Sequence, residues 1–199
     1  MSRPYIIGLT GSIGMGKSTV AEMIMAQGVP VFEADAAVHR LQGPGGALVP
    51  EIEAAFPGTT GPQGVDRAVL GARVFGNPDE LARLEAIVHP AVARLREAFL
   101  LEHAGMDLVV FDIPLLFEKG GFRQVDAVLV VSAPADVQRQ RVLARPGMTP
   151  EKFSRILDIQ VPDAEKRARA DFVIDTGCSL EVTEAAVAKL VESLRDRAI

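Results

Sequence analysis

The stretch IIGLTGSIGMGKSTVAEM, residues 6–23, decides how the chain is read. A short apolar run enters a glycine-rich bend that closes on Gly-Lys-Ser. Gly11, Gly16, Lys17 and Ser18 complete the pattern G-x-x-x-x-G-K-[ST] of a phosphate-binding loop. Phosphate oxygens need several donors converging from one side, where side chains would crowd them. Glycines at 11, 14 and 16 let backbone N–H groups face inward, and the following helix adds its positive end. Met15 and Thr19 complete the set of residues expected to line the nucleotide. Lys17 supplies a point charge to the outer phosphates, and the Ser18 hydroxyl can ligate Mg²⁺. Gly-Lys-Ser favours a mononucleotide loop over a dinucleotide fingerprint. The expected ligand is a nucleoside triphosphate.

The residues around this loop point to an α/β fold. YIIGL at 5–9 is a continuous apolar run suited to a strand buried on both faces, and 19–27 reads as the helix after the bend. VPVF at 29–32, LVVFD at 108–112, AVLVV at 127–131 and FVID at 172–175 supply four more strands, separated by helical stretches. That alternation predicts a five-stranded parallel sheet flanked by helices. About 75 residues separate the second and third strands, far more than one crossover needs. Within them Leu81, Leu84, Ile87, Val88, Val92, Leu95 and Phe99 repeat at helical spacing, and Pro90 is expected to bend or split that helix. The expected organisation is a core of 1–35, 105–138 and 170–199, a helical insertion at 36–104, and a second excursion at 139–169. In the excursion Thr149 and Pro150 read as N-cap and first helical residue. A closing helix is expected at 179–197.

Composition bounds the function. At 199 residues, 48% hydrophobic and 24% charged, the chain is an ordinary globular protein. A net charge of −5 argues against nucleic-acid or membrane partners. No apolar stretch approaches the roughly 18 residues of a membrane span, and MSRPYIIG lacks a signal-peptide core. The single cysteine, Cys178, excludes a disulfide framework and reads as a small half-buried side chain. The expectation is a cytoplasmic monomer.

Phosphoryl transfer also needs a group to orient the attacking hydroxyl and positive charge for the moving oxygens. Asp35, just beyond the second strand, stands where parallel sheets place their ligands and can accept an alcohol proton. It also reads as a helix N-cap. Asp112 ends LVVFD and can hold Mg²⁺ through water. Residues 139–155 carry five basic side chains (Arg139, Arg141, Arg145, Lys152, Arg155) and one acid, Glu151, a local balance of +4. Arg141 and Arg145, four apart, share a face if both are helical. That face either closes over phosphates or is simply solvated. His89, in an apolar helical setting, reads as packed or hydrogen-bonded. No His/Cys set has zinc-like spacing.

Taken together, these blocks resemble the dephospho-CoA kinase family. The match runs from GLTGSIGMGKSTVAEM through FEADAAVHRL, VDRAVLGARVFGNP, LEAIVHPAV and DIPLLFE to QRVLARPGMTPEKFSRILDIQ and RARADFVIDT, in family order. The resemblance implies a P-loop kinase core with a helical substrate-binding insertion at 36–104 and a small lid at 139–169. It also implies ATP-dependent phosphorylation of the ribose 3′-hydroxyl of dephospho-CoA. Asp35 matches the aspartate that receives the hydroxyl proton, and Lys17 and Arg141 join it as catalytic groups. Arg67, Phe75 and His89 fall in the substrate-binding blocks. Arg141 and Arg145 fall beside the ATP phosphates. Five positions depart from the family pattern: Ser12, Met15, Glu33, Pro146 and Thr176. Two rivals remain: another small-molecule or nucleoside monophosphate kinase, and a nucleotide-switched binding module. The Asn-Lys-x-Asp stretch of a GTPase is absent.

Overall fold

The computed structural model describes residues 3–195. Residues 1, 2 and 196–199, where the expected core and closing helix begin or end, lie outside the described residues. The chain divides into two compact units. One is Glu33–Glu102, and the other comprises the described parts of Met1–Phe32 and His103–Ile199.

In chain order, β1 (Tyr5–Thr10), α1 (Lys17–Ala26) and β2 (Val31–Glu33) come first. Next are α2 (Ala34–Gln42), α3 (Val49–Ala55), β3 (Thr60–Gly61), β4 (Gly64–Val65), α4 (Arg67–Val74) and α5 (Pro78–Glu102). The remainder holds β5 (Leu108–Asp112), β6 (Ala127–Ser132), α6 (Ala135–Leu143), α7 (Pro150–Ile159), α8 (Asp163–Ala168), β7 (Phe172–Asp175) and α9 (Leu180–Arg195).

The larger unit is built on a five-stranded sheet in the order β2-β5-β1-β6-β7, with parallel β1–β5, β1–β6 and β6–β7 ladders. Side chains alternate across it, as a period of two requires. Ile7, Leu9, Leu129, Val131 and Ile174 face Val20, Ala21 and Ile24 of α1 and Val187, Val191 and Leu194 of α9. Val128 and Val130 pack on the other face with Leu116, Phe117 and Val161. Burial of each such side chain contributes about 1.5–3 kcal/mol against the entropy of ordering. Both faces are covered, which explains why these strands read as unbroken apolar runs. These ladders run parallel, with β2 and β5 added on one side of β1 and β6 and β7 on the other. The loop after β1 therefore opens at the carboxyl end of the sheet near the point where strand order switches sides, where open α/β sheets bind ligands.

The smaller unit has its own core of Leu41, Leu48, Ile52, Phe56, Leu70 and Ala91, with Leu84, Ile87, Val88, Val92 and Leu95 packed against it. Asp66 caps α4 by accepting from Ala68 N and Val69 N. Pro90 neither breaks nor splits α5, which runs 25 residues through it. Pro90 is exposed, while Ile87, Val88, Ala91 and Val92 on either side of it pack into one core. Packing outweighs the backbone bond that proline removes. Thr149 caps α7, as its position predicts, by accepting from Lys152 N. Cys178 is exposed rather than half-buried.

Candidate active site

The phosphate loop is braced by the packing and polar contacts of its own chain. Gly14 and Gly16 have φ of 78° and 82°, left-handed values that disfavour any side chain. Space forbids one as well: a Cβ on Gly14 would fall 2.4 Å from Val142 Cγ2, and one on Gly11 would fall 2.8 Å from Val131 O. At Gly16 the neighbour is Thr176, whose Oγ1 would stand 3.1 Å away. The rest of the bend is held by polar contacts. Ile13 N–H donates to Gln160 Oε1 at 3.1 Å, and Gln138 Nε2 donates to Ile13 O at 2.8 Å. The Met15 side chain is buried beneath the loop and takes the Ala133 N–H on its sulfur, while its own amide closes a turn onto Ser12 O. Thr176 Oγ1 donates to Met15 O at 2.8 Å.

Gly16 ends the bend and α1 begins at Lys17, so the free amides of the first turn belong to the residues around Lys17, Ser18 and Thr19. Lys17 Nζ forms an ion pair with Asp112 Oδ1. The β-ladder explains the meeting, because Asp112 ends β5 opposite Leu9. Ser18 is exposed, and Asp112 is 7% exposed.

The two arginines do not share a helix face. α6 ends at Leu143 with Ala144 as its cap, which leaves Arg145 exposed in the loop before α7. Met148 N bonds Arg145 O across a tight bend there, and Pro146-Gly147 accounts for the early helix stop. Arg141 remains on α6, where Nη2 donates to Thr176 O at 2.7 Å and Nη1 to Thr176 Oγ1 at 3.1 Å. Its charge is therefore delivered beside Thr176, against which Gly16 packs.

The sequence alone marks no role for Glu118, Gln138, Gln160 or Lys166. Lys166 is fully buried in α8 and pairs with Glu118 Oε1 at 2.9 Å, and the same oxygen takes the Val161 N–H at 2.9 Å. Burial opposes the charge on Glu118. The Lys166 bond and the backbone donors outweigh that and hold its carboxyl below the ordinary range. Glu118 and Gln160 stand in the quoted blocks DIPLLFE and FSRILDIQ. The signal was present, but the spacing names no partner.

In the helical unit, Asp35 is exposed in the first turn of α2, whose N-cap is Glu33. It is therefore not the cap, and its carboxylate suits the positive end of the helix. Arg67 Nη1 donates to His39 Nε2 at 2.7 Å, which fixes that ring nitrogen as the acceptor. Phe75 is 91% exposed at the end of α4. His89 is exposed on α5 rather than packed. Among the described residues no group of three or more His, Cys, Asp and Glu could hold a metal ion.

Residues 5–181 match the profile of the family described as dephospho-CoA kinase. The chain belongs to the dephospho-CoA kinase family. The dephospho-CoA kinase of Novosphingobium aromaticivorans is 72% identical over 99% of this chain and 98% of its own length. The crystal structure of TT1252 from Thermus thermophilus shares 38% identity over 97% of this chain and 99% of that chain, with a TM-score of 0.85. The dephospho-CoA kinase from Campylobacter jejuni, at 24% identity, covers 97% of this chain and 98% of its own with a TM-score of 0.67, and shares the fold. No described helix is long and apolar enough to cross a membrane.

Proposed function

We propose that this chain transfers the terminal phosphoryl group of ATP to the ribose 3′-hydroxyl of dephospho-CoA, giving coenzyme A and ADP. The observation that carries the reading is the braced glycine loop ending in Lys17 and Ser18, in a chain that belongs to the dephospho-CoA kinase family throughout nearly its whole length. Amides at the start of α1 take the phosphate oxygens. Lys17 turns from Asp112 to the outer phosphates and stabilises charge there as the bond to ADP lengthens. Ser18 and Asp112 offer hard oxygen donors of the kind Mg²⁺ takes, with water completing the shell. An ion held there would supply positive charge to neutralise the phosphates during transfer.

Asp35 accepts the proton as the 3′-oxygen forms its bond to phosphorus, and ADP leaves with the electron pair of the bond that breaks. Arg145 adds charge from the loop between α6 and α7, while Arg141 acts from its place beside Thr176. Arg67, Phe75 and His89 contact dephospho-CoA in this reading, and the protein works as a cytoplasmic monomer. The test is turnover measured side by side with dephospho-CoA, adenosine, shikimate and nucleoside monophosphates. Marked preference for dephospho-CoA is expected. Preference for any other acceptor, or nucleotide binding with no acceptor phosphorylated, overturns the assignment.

A further inference from the structure

The phosphate loop depends on a residue outside the loop, and the bonds at Ile13 show which one. Both backbone polar groups of Ile13 are taken by side-chain amides from two different helices. Gln138 on α6, 6% exposed, donates to its carbonyl at 2.8 Å. Gln160, the residue that ends α7, accepts its N–H at 3.1 Å. We infer that Gln160 is a positioning residue for phosphoryl transfer, which holds the Ile13 amide out of the anion cradle and ties the loop to the end of α7.

Three observations support this. Ile13 lies between Gly11 and Gly14, which carry no side chains of their own to anchor the bend. An amide there without an acceptor is free to rotate, and the neighbouring donors lose their common aim. Second, Gln160 is itself fixed. Its N–H donates to Ile156 O and Leu157 O, both at 3.2 Å, and the next residue, Val161, donates to Glu118, which is locked to the buried Lys166. A rigid chain of contacts thus runs from Lys166 through Glu118 and Val161 to Gln160 and Ile13. Third, Gln138 and Gln160 belong to the helices on either side of the 144–149 loop that carries Arg145. Any displacement of that loop that moves the end of α7 acts on the Ile13 peptide, so the lid segment and the phosphate loop are mechanically linked.

The proposal rests on reading 11–18 as the ATP phosphate loop, and its test separates the two. In the full chain, Gln160→Leu removes the acceptor and Gln160→Glu keeps one. Amide hydrogen exchange at Ile13 is followed by NMR without nucleotide, beside kcat, KM for ATP, KM for dephospho-CoA and the melting temperature. Gln160→Leu should speed Ile13 exchange about tenfold and lower kcat/KM for ATP about three- to tenfold, the scale of one hydrogen bond. KM for dephospho-CoA and the melting temperature should hold, and Gln160→Glu should restore slow exchange at Ile13. Unchanged Ile13 exchange and ATP constants in Gln160→Leu would overturn the proposal. So would a lowered melting temperature with both substrates' constants failing together. Turnover of ATP by the wild type decides the proposed function separately, because Ile13 exchange reads the bond without it.

Discussion

Ile13 has its amide and carbonyl both held by glutamine side chains, and Gly11, Gly14 and Gly16 are packed so closely that no Cβ fits without a shift. Asp35, Phe75 and His89, in the helical unit, are all exposed. Under the proposed function, the contrast follows from what each region would recognise. A polyphosphate is small and highly charged, and it is best met by dipoles already fixed in direction. A long, flexible acceptor brings its own polar and apolar groups, and exposed side chains can order around it when it binds. The larger unit meets the cost of fixing its loop through buried contacts such as Lys166–Glu118. The candidates of the helical unit can be altered with little effect on folding.

The largest expected effect breaks the braced side of this comparison. Lys166→Met strands the Glu118 carboxylate, whose side chain is 10% exposed, and should cost about 3–5 kcal/mol in urea unfolding. Combining it with Glu118→Gln should recover most of the loss, because no buried charge is left alone. The folded Glu118 has a lowered pKa, so its contribution is complete above the ordinary carboxylate range and disappears as pH falls through the lowered value. The stability gap between the wild type and the double variant should therefore shift progressively against the wild type on acidification. A gap flat with pH would remove Glu118 as its source.

Next comes Lys17→Ala, which should lower kcat by about 10²–10³ through lost charge at the transferring phosphate. A rate near wild type would show that the lysine serves only Asp112. Asp35→Asn should then lower kcat by about 10² while nucleotide affinity and melting temperature stay put. That pattern marks an exposed group used only in the chemistry; a fall in melting temperature would place Asp35 among the structural residues instead. The smallest effect is expected of Arg145→Ala, with KM for ATP rising about tenfold, the scale of one charge-assisted hydrogen bond. Unchanged constants would make Arg145 a solvated surface charge.

The sheet, the loop and the order of the elements were legible because each is local. Continuous apolar strands, the G-x-x-x-x-G-K-S spacing and the Thr149 cap are written within a few residues of where they act. Pro90 does not split α5 because the rule it obeys is local, whereas the core that keeps the helix continuous across it includes residues as distant as Leu41 and Phe56. Arg141 and Arg145 misled for a related reason: helical spacing applies only while the helix lasts, and α6 stops at Leu143. Gln138, Gln160 and Lys166 stayed silent because their partners Ile13 and Glu118 lie 125, 147 and 48 positions away along the chain.

The central claim is that the loop is set for polyphosphate before nucleotide binds. Backbone ¹H–¹⁵N spectra recorded while Mg²⁺ and a non-hydrolysable ATP analogue are added test it most directly. Large shifts confined to the amides of 14–19, with Ile13 staying on Gln160 and barely moving, are the predicted result. Silent amides at 14–19, or a wholesale rearrangement of 11–16 that releases Ile13, would contradict it.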